Sequence, residues 1–211
     1  MRLYRIPSLL EQLFPNRLWE GPRTDRSIYL TFDDGPVPGI TDFVLEQLAK
    51  RSQVATFFMV GDNARKHPSL LHEVVAAGHG LGNHTQHHLA GWKVSTPRYL
   101  LDIQLCDETL ASVLGDAPSL FRPPYGWMSP FQASAVAKKK KIVMWSLLGR
   151  DFDFSLSSAQ CLQGICNRTS SGKILVLHDQ EKTLTQVKNI LPDYLDFLID
   201  QGFSTQVIPK F

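Results

Sequence analysis

The strongest constraint on the fold is a repeated alternation along the chain. Short apolar runs at 28–32, 54–59, 80–82, 120–122, 142–146, 174–177 and 203–208 read as strands. Longer segments at 41–51, 67–78, 96–115, 129–140, 157–166 and 184–202 carry apolar residues at helical spacing. Thr41 is a candidate N-cap, and Gly78, Gly115 and Gly202 are candidate helix ends. Pro192 should kink or break the last helix. Seven β–α steps predict a parallel α/β fold, either an incomplete barrel or an open doubly wound sheet, and the pattern alone does not separate the two. No internal repeat or low-complexity linker interrupts the 211 residues, so one domain is expected over 26–211. An amino-terminal segment, 1–25, is expected to pack on it.

Composition excludes several classes. Hydrophobic residues are 43% and charged residues 20%, which is globular rather than disordered. A net charge of +2 does not call for nucleic acid. The single basic block, KKKK at 138–141, reads as a solvated helix end. Three cysteines without a C-x-x-C spacing argue against a disulfide framework and suit a reducing compartment. The apolar runs near the amino terminus are too short for a signal peptide or a membrane span. A cytoplasmic protein is therefore expected, with peripheral membrane contact left open and the oligomeric state unread.

In parallel α/β folds, sites gather beyond the carboxyl ends of the strands. Asp33 and Asp34 follow the first apolar run, His84 and His88 the third, and Arg122 ends the fourth. Asp151 lies a few residues past the fifth, and His178 ends the sixth. These polar groups should converge on one face. His84 and His88 are four apart and would share a face on a helical turn, and His87 offers an alternative to His88. Two imidazoles and one carboxylate make a first-row metal site with open positions. The cation would neutralise one aspartate, and the other could bond a water whose pKa the metal lowers. An arginine held before the rigid Pro123–Pro124 pair suits pairing with a carboxylate such as Asp33. An imidazole at the end of a buried strand suits acid or base work. His67, His72 and His79 have no such context and read as ordinary surface or core histidines.

The segments TFDDG, HTQHH, RPPYG, RDFD and LVLHD, in this order, resemble the five motifs of the polysaccharide deacetylase family with the NodB homology domain, carbohydrate esterase family 4. The resemblance runs from residue 28 nearly to the carboxyl terminus. It implies a distorted, incomplete (β/α) barrel with about seven parallel strands. It implies that Asp33 is the general base and that Asp34, His84 and His88 hold a divalent metal, zinc first, with cobalt or another first-row ion in its place. Arg122 would orient Asp33, and the backbone N–H of Tyr125 would help hold the oxyanion. Leu177 would line the pocket for the acetyl methyl, and His178 would be the general acid, tuned by Asp151. The implied reaction is hydrolysis of the acetamide of an N-acetylglucosamine-containing glycan or oligosaccharide by attack of a metal-bound water.

The fourth motif departs from the family's D-x-x-D-W. Leu148 stands for the first Asp and Phe152 for the Trp of the groove wall, and Asp153 is the fallback should Asp151 be out of register. Trp92, just past the metal histidines, is a candidate sugar contact. Two other readings compete: an amidohydrolase of the same fold that opens cyclic amides or ureides, and a glycan-binding module without activity. A complete set of base, acid and ligands weighs against the second.

Overall fold

The computed structural model describes Tyr4 and residues 8–23 and 26–209. The expected division after residue 25 adjoins residues 24 and 25, which lie outside the described residues, as do most positions of the first seven.

The strands are β1 (Ser27–Asp33), β2 (Thr56–Met59), β3 (Gly80–Asn83), β4 (Leu120–Phe121), β5 (Lys141–Ile142), β6 (Leu147–Leu148), β7 (Ile174–His178) and β8 (Ser204–Thr205). The helices are α1 (Ser8–Leu13), α2 (Thr41–Lys50), α3 (Gly61–Lys66), α4 (Pro68–Ala76), α5 (Thr96–Leu114), α6 (Pro130–Val136), α7 (Ser158–Cys166) and α8 (Leu184–Asp200). Seven strands follow the order β5-β4-β3-β2-β1-β7-β6, all parallel, in a curled half-barrel. The short β8 joins the amino-terminal end of β1, also parallel.

Strand alternation explains what faces where. On β1, Ile28, Leu30 and Phe32 enter the core beneath α2, α7 and α8, together with Val44, Ile165, Leu191 and Leu195. Tyr29 joins Phe58, Val143 and Ile174 in a separate apolar cluster. On the same face as Tyr29, Thr31 and Asp33 receive hydrogen bonds from Arg122. One face of the central strand is thus apolar throughout, and the other turns polar toward its carboxyl end.

Among the described residues, β5 and β6 do not pair, and the opening is bridged lower down by the amino-terminal segment. Leu18 pairs in parallel with Val143, and Glu20 pairs in antiparallel with Lys173. Leu18 N–H donates to Ile142 O at 2.8 Å and Met144 N–H to Leu18 O at 2.7 Å. The apolar run at 142–146 is therefore not one strand. Its start pairs with β4, and the residues after it pair with β7 as β6, across the opening.

Four local expectations change. Helix α2 has Ile40 at its N-cap, because Thr41 Oγ1 accepts from Val37 N–H and donates to Asp179 instead. The lysine block does not close a helix: α6 ends at Val136, Lys140 pairs with Asp107, and Lys141 opens β5. Helix α8 runs through Pro192 without the break that was one of the two expected outcomes. The turn holding His84 and His88 is not helical, since Thr85 and His88 have φ of 66° and 53°. Gly78, Gly115 and Gly202 do terminate helices, with φ of 80°, 88° and 71°. No helix among the described residues is long and apolar enough to cross a membrane.

Candidate active site

At the carboxyl ends of the strands lies a cavity of about 860 Å³, lined among others by Asp33, Asp34, His84, His88, Tyr125 and His178. Its floor is the end of β1. Asp33 pairs in register with His178 of β7 and with Phe58 of β2, so the parallel ladder itself brings the first and last polar groups side by side.

Arg122 is fully buried, and each of its three guanidinium nitrogens donates a hydrogen bond. Its Nη1 donates to Asp33 Oδ1 at 2.6 Å and to Thr31 Oγ1 at 2.7 Å, and its Nη2 to Met144 O at 2.8 Å. Its guanidinium lies 4.1 Å over the Phe58 ring. Burial lowers the Arg122 pKa, and the Asp33 charge opposes that shift, so the arginine stays a cation. Asp33 Oδ2 is left facing the cavity side, 4.0 Å from His84 Nε2.

Asp34, His84 and His88 each offer one ligand atom, and these atoms lie within 4.8 Å of one another. Asp34 Oδ1 is 3.1 Å from His88 Nε2 and 3.6 Å from His84 Nε2. That oxygen is buried and makes no hydrogen bond. A buried carboxylate oxygen without a donor is costly unless a cation meets it, so this donor set fits a divalent metal. His84 Nδ1 lies 2.8 Å from Arg122 O, which fixes the proton there and leaves the Nε2 lone pair toward the cluster. Burial pushes the His84 pKa down to about 4, keeping the ring neutral as a ligand must be. Burial would raise the Asp34 pKa, but the imidazoles of His88, His84 and His178 outweigh it and hold it at about 2.

On the other side, His178 is clamped twice by Asp151. The backbone N–H of His178 donates to Asp151 Oδ2 at 2.7 Å, and its Nδ1 lies 3.0 Å from Oδ1. Nε2 is then the atom free to meet a ligand in the cavity. Burial alone would lower the His178 pKa, but the Asp151 carboxylate, with Asp34 and Asp33 behind it, raises it to about 9. Asp153 is bonded to Arg150 and Ser155 instead and makes no contact with His178, so Asp151 is in register.

Two residues named from the sequence as substrate contacts lie outside the cavity lining. Leu177 belongs to the helix-side core, with no exposed surface. Strand alternation turns 176 and 178 into the cavity and 177 away from it, and Val176 is the lining residue. Trp92 stands outside the cavity lining and reaches the site only through Tyr125, edge-on at 5.4 Å between ring centroids. Tyr125 itself, at φ 60°, packs against the His88 ring at 4.7 Å. Phe152 lines the opposite wall, edge-on to His178 at 5.4 Å, and Leu148 lines the same cavity. His87 is turned onto Asp102, 2.6 Å away, with a side chain 57% exposed, and is not part of the cluster of three.

Several further contributors are not among the residues named from the sequence. Asp179 accepts from Gly35 N–H at 3.0 Å and Thr41 Oγ1 at 2.6 Å, which ties the DDG turn to β7 and α2. A Cβ on Gly35 would sit 2.1 Å from that carboxylate, so only glycine fits. Asn63 of α3, a helix the periodicity does not mark, donates to Asp34 O at 2.7 Å. Gln180 Nε2 donates to Asp34 Oδ2 at 2.7 Å. Asp102 accepts from the backbone of Gln86 and His87 and so holds the histidine loop. For Asp179 and Gln180 a cue existed: they are the two residues after His178.

The family model for polysaccharide deacetylase matches residues 20–144. A peptidoglycan-N-acetylglucosamine deacetylase of Bacillus cereus is 33% identical over 191 residues, covering 88% of this chain and 87% of the relative. A chitooligosaccharide deacetylase of Rhizobium leguminosarum bv. trifolii is 28% identical over 207 residues, covering 90% and 94%. The chain spans 58% and 38% of two further, longer peptidoglycan deacetylases. Among solved structures, the Bc1960 peptidoglycan N-acetylglucosamine deacetylase in complex with 4-naphthalen-1-yl-N-oxidanyl-benzamide superposes with a TM-score of 0.88 at 28% identity, covering 97% of this chain and 95% of that one.

Proposed function

The chain belongs to the polysaccharide deacetylase family, carbohydrate esterase family 4, and from that premise we propose that it is a metal-dependent hydrolase removing the acetyl group from N-acetylglucosamine units of a glycan. The observation that carries the metal dependence is Asp34 Oδ1, buried without a hydrogen bond beside two imidazole nitrogens. Asp34, His84 and His88 would hold the ion. When bound, the ion supplies Lewis acidity that polarises the acyl oxygen and acidifies water, and zinc suits this nitrogen and oxygen set.

The chain's own residues divide the proton work. Asp33 takes the proton of the attacking water at Oδ2, because Arg122 occupies Oδ1. Arg122 holds that carboxylate in one orientation, so little reorganisation is needed as the proton moves. The Tyr125 backbone N–H assists the developing oxyanion. His178 donates from Nε2 to the leaving nitrogen, since an amide nitrogen does not leave as an anion. The C–N bond breaks, and acetate and a free amine remain. A carboxylate base and a cationic imidazole acid, set apart by their surroundings, match what acid–base work near neutral pH requires. Tyr125 and Phe152 form opposing aromatic walls against which a sugar ring can lie.

The test is acetate release from short chitooligosaccharides by the zinc-reconstituted protein, with cyclic imide ring opening as the control. Acetate release with a new free amine supports the reading. Ring opening without acetate release would replace it with the cyclic amide alternative.

A further inference from the structure

We propose that Gln180 is a positioning residue that makes Asp34 a one-oxygen metal ligand. This rests on the metal reading above and goes beyond it by assigning the two oxygens of Asp34 different duties. Gln180 Nε2 donates to Oδ2 at 2.7 Å, while Oδ1 is buried, makes no hydrogen bond and faces His84 and His88.

Every other polar group of Asp34 is already fixed. Its N–H donates to Phe58 O at 3.3 Å, and its carbonyl accepts from Asn63 Nδ2 at 2.7 Å. Its φ of 86° is held by these contacts. What stays free is rotation of the carboxylate, and that is the motion Gln180 stops. The Gln180 backbone is itself anchored, since its carbonyl accepts the Thr183 N–H at 3.0 Å and lies 3.0 Å from the Thr183 hydroxyl, which is shared with His178 O.

The consequence is chemical. A carboxylate that bonds a cation through both oxygens occupies two positions around it. Holding one oxygen on a neutral amide keeps that position open for reactants. A neutral donor also leaves the negative charge of Asp34 intact, which a lysine in the same place would not.

The experiment uses the full chain, stripped of metal and titrated with Zn²⁺ against a chelating indicator, and separately loaded with Co²⁺ for visible absorption. Gln180→Met keeps the length of the side chain and removes the donor, and Gln180→Ala removes it with less bulk. Both variants are expected to bind Zn²⁺ about 10–100-fold more weakly than the unaltered chain. Their Co²⁺ bands should weaken as the second carboxylate oxygen joins and the coordination number rises. Metal-free melting temperatures close to that of the unaltered chain identify the effect as one on the site, not the fold. Equal Zn²⁺ affinity and an unchanged Co²⁺ spectrum in folded variants would overturn the role of Gln180 alone. Failure of the unaltered chain to bind either ion would overturn the metal site and this inference together.

Discussion

Arg122 Nη1 lies 2.6 Å from Asp33 Oδ1, and both side chains are buried at the end of β1. The pair is asymmetric in its dependence. Arg122 has Thr31 Oγ1 and the carbonyls of Val143 and Met144 as further acceptors, whereas among the described residues the Asp33 carboxylate accepts a hydrogen bond from Arg122 alone. Removing the arginine strands a buried carboxylate, which costs about 3–5 kcal/mol. In a domain of this size that is on the order of 10 °C in melting temperature. Arg122→Met should therefore melt well below the unaltered protein. Adding Asp33→Asn should return part of the loss, because no charge is left unpaired. Calorimetry of the four proteins in a double-mutant cycle measures this, and strictly additive losses would show that the pair is not coupled.

The His178–Asp151 clamp sets a pH dependence. In the metal-free protein the folded-state pKa of His178 is raised to about 9 from its usual 6.5. A raised histidine contributes stability that is fully present below 6.5 and is lost as pH rises through about 9. Asp34 works at the other end. Its pKa, lowered to about 2 from 3.8, gives stability present above 3.8 and lost as pH falls through about 2. Denaturant titrations of the metal-free chain across pH should show both slopes, and Asp151→Asn should flatten the alkaline one.

On the proposed mechanism the same clamp should also shape the pH dependence of turnover. An acid that must be protonated gives an alkaline limb in kcat/KM, and a base that must be ionised gives an acidic one, so a bell-shaped profile is expected. A bound cation offsets the Asp33 and Asp34 charges, which brings the alkaline limb of the loaded enzyme below that of metal-free His178. Asp151→Asn should move that limb to lower pH still. A flat profile across neutral pH would remove His178 as the acid.

His87 and His88 separate two ligand assignments that sequence spacing leaves open. His88→Ala should weaken zinc binding severely. His87→Ala should leave it nearly unchanged, because His87 is spent on Asp102. Isothermal titration with Zn²⁺ reads the difference, and the reverse order would redraw the site.

The polar groups that the structure brings together at the strand ends could be read along the chain. Asp33, Asp34, His84, Arg122, Asp151 and His178 are legible because each sits where an apolar run ends in a polar group, and parallel strands bring such ends together. The placing of Leu177 was not legible, because the end of this buried strand is apolar on both faces and composition does not say which of Val176 and Leu177 looks inward. Strand β6 was not legible because two residues carry no periodicity, and its pairing is decided by the register with β7. The loop 84–88 looked helical by spacing, yet Asn83 and Asp102 bind its backbone and turn it through left-handed residues. Thr41 looked like a cap, but a buried carboxylate 138 residues away took its hydroxyl.

On the proposed mechanism two adjacent aspartates have different work, Asp33 on the proton and Asp34 on the metal. This division is tested most directly by measuring bound zinc and acetate release together for Asp33→Asn and Asp34→Asn. The account predicts that Asp33→Asn keeps a full equivalent of zinc while its turnover falls by about 10²–10⁴-fold, and that Asp34→Asn loses the zinc. If Asp33→Asn loses the metal while Asp34→Asn keeps both metal and activity, the assignment is contradicted.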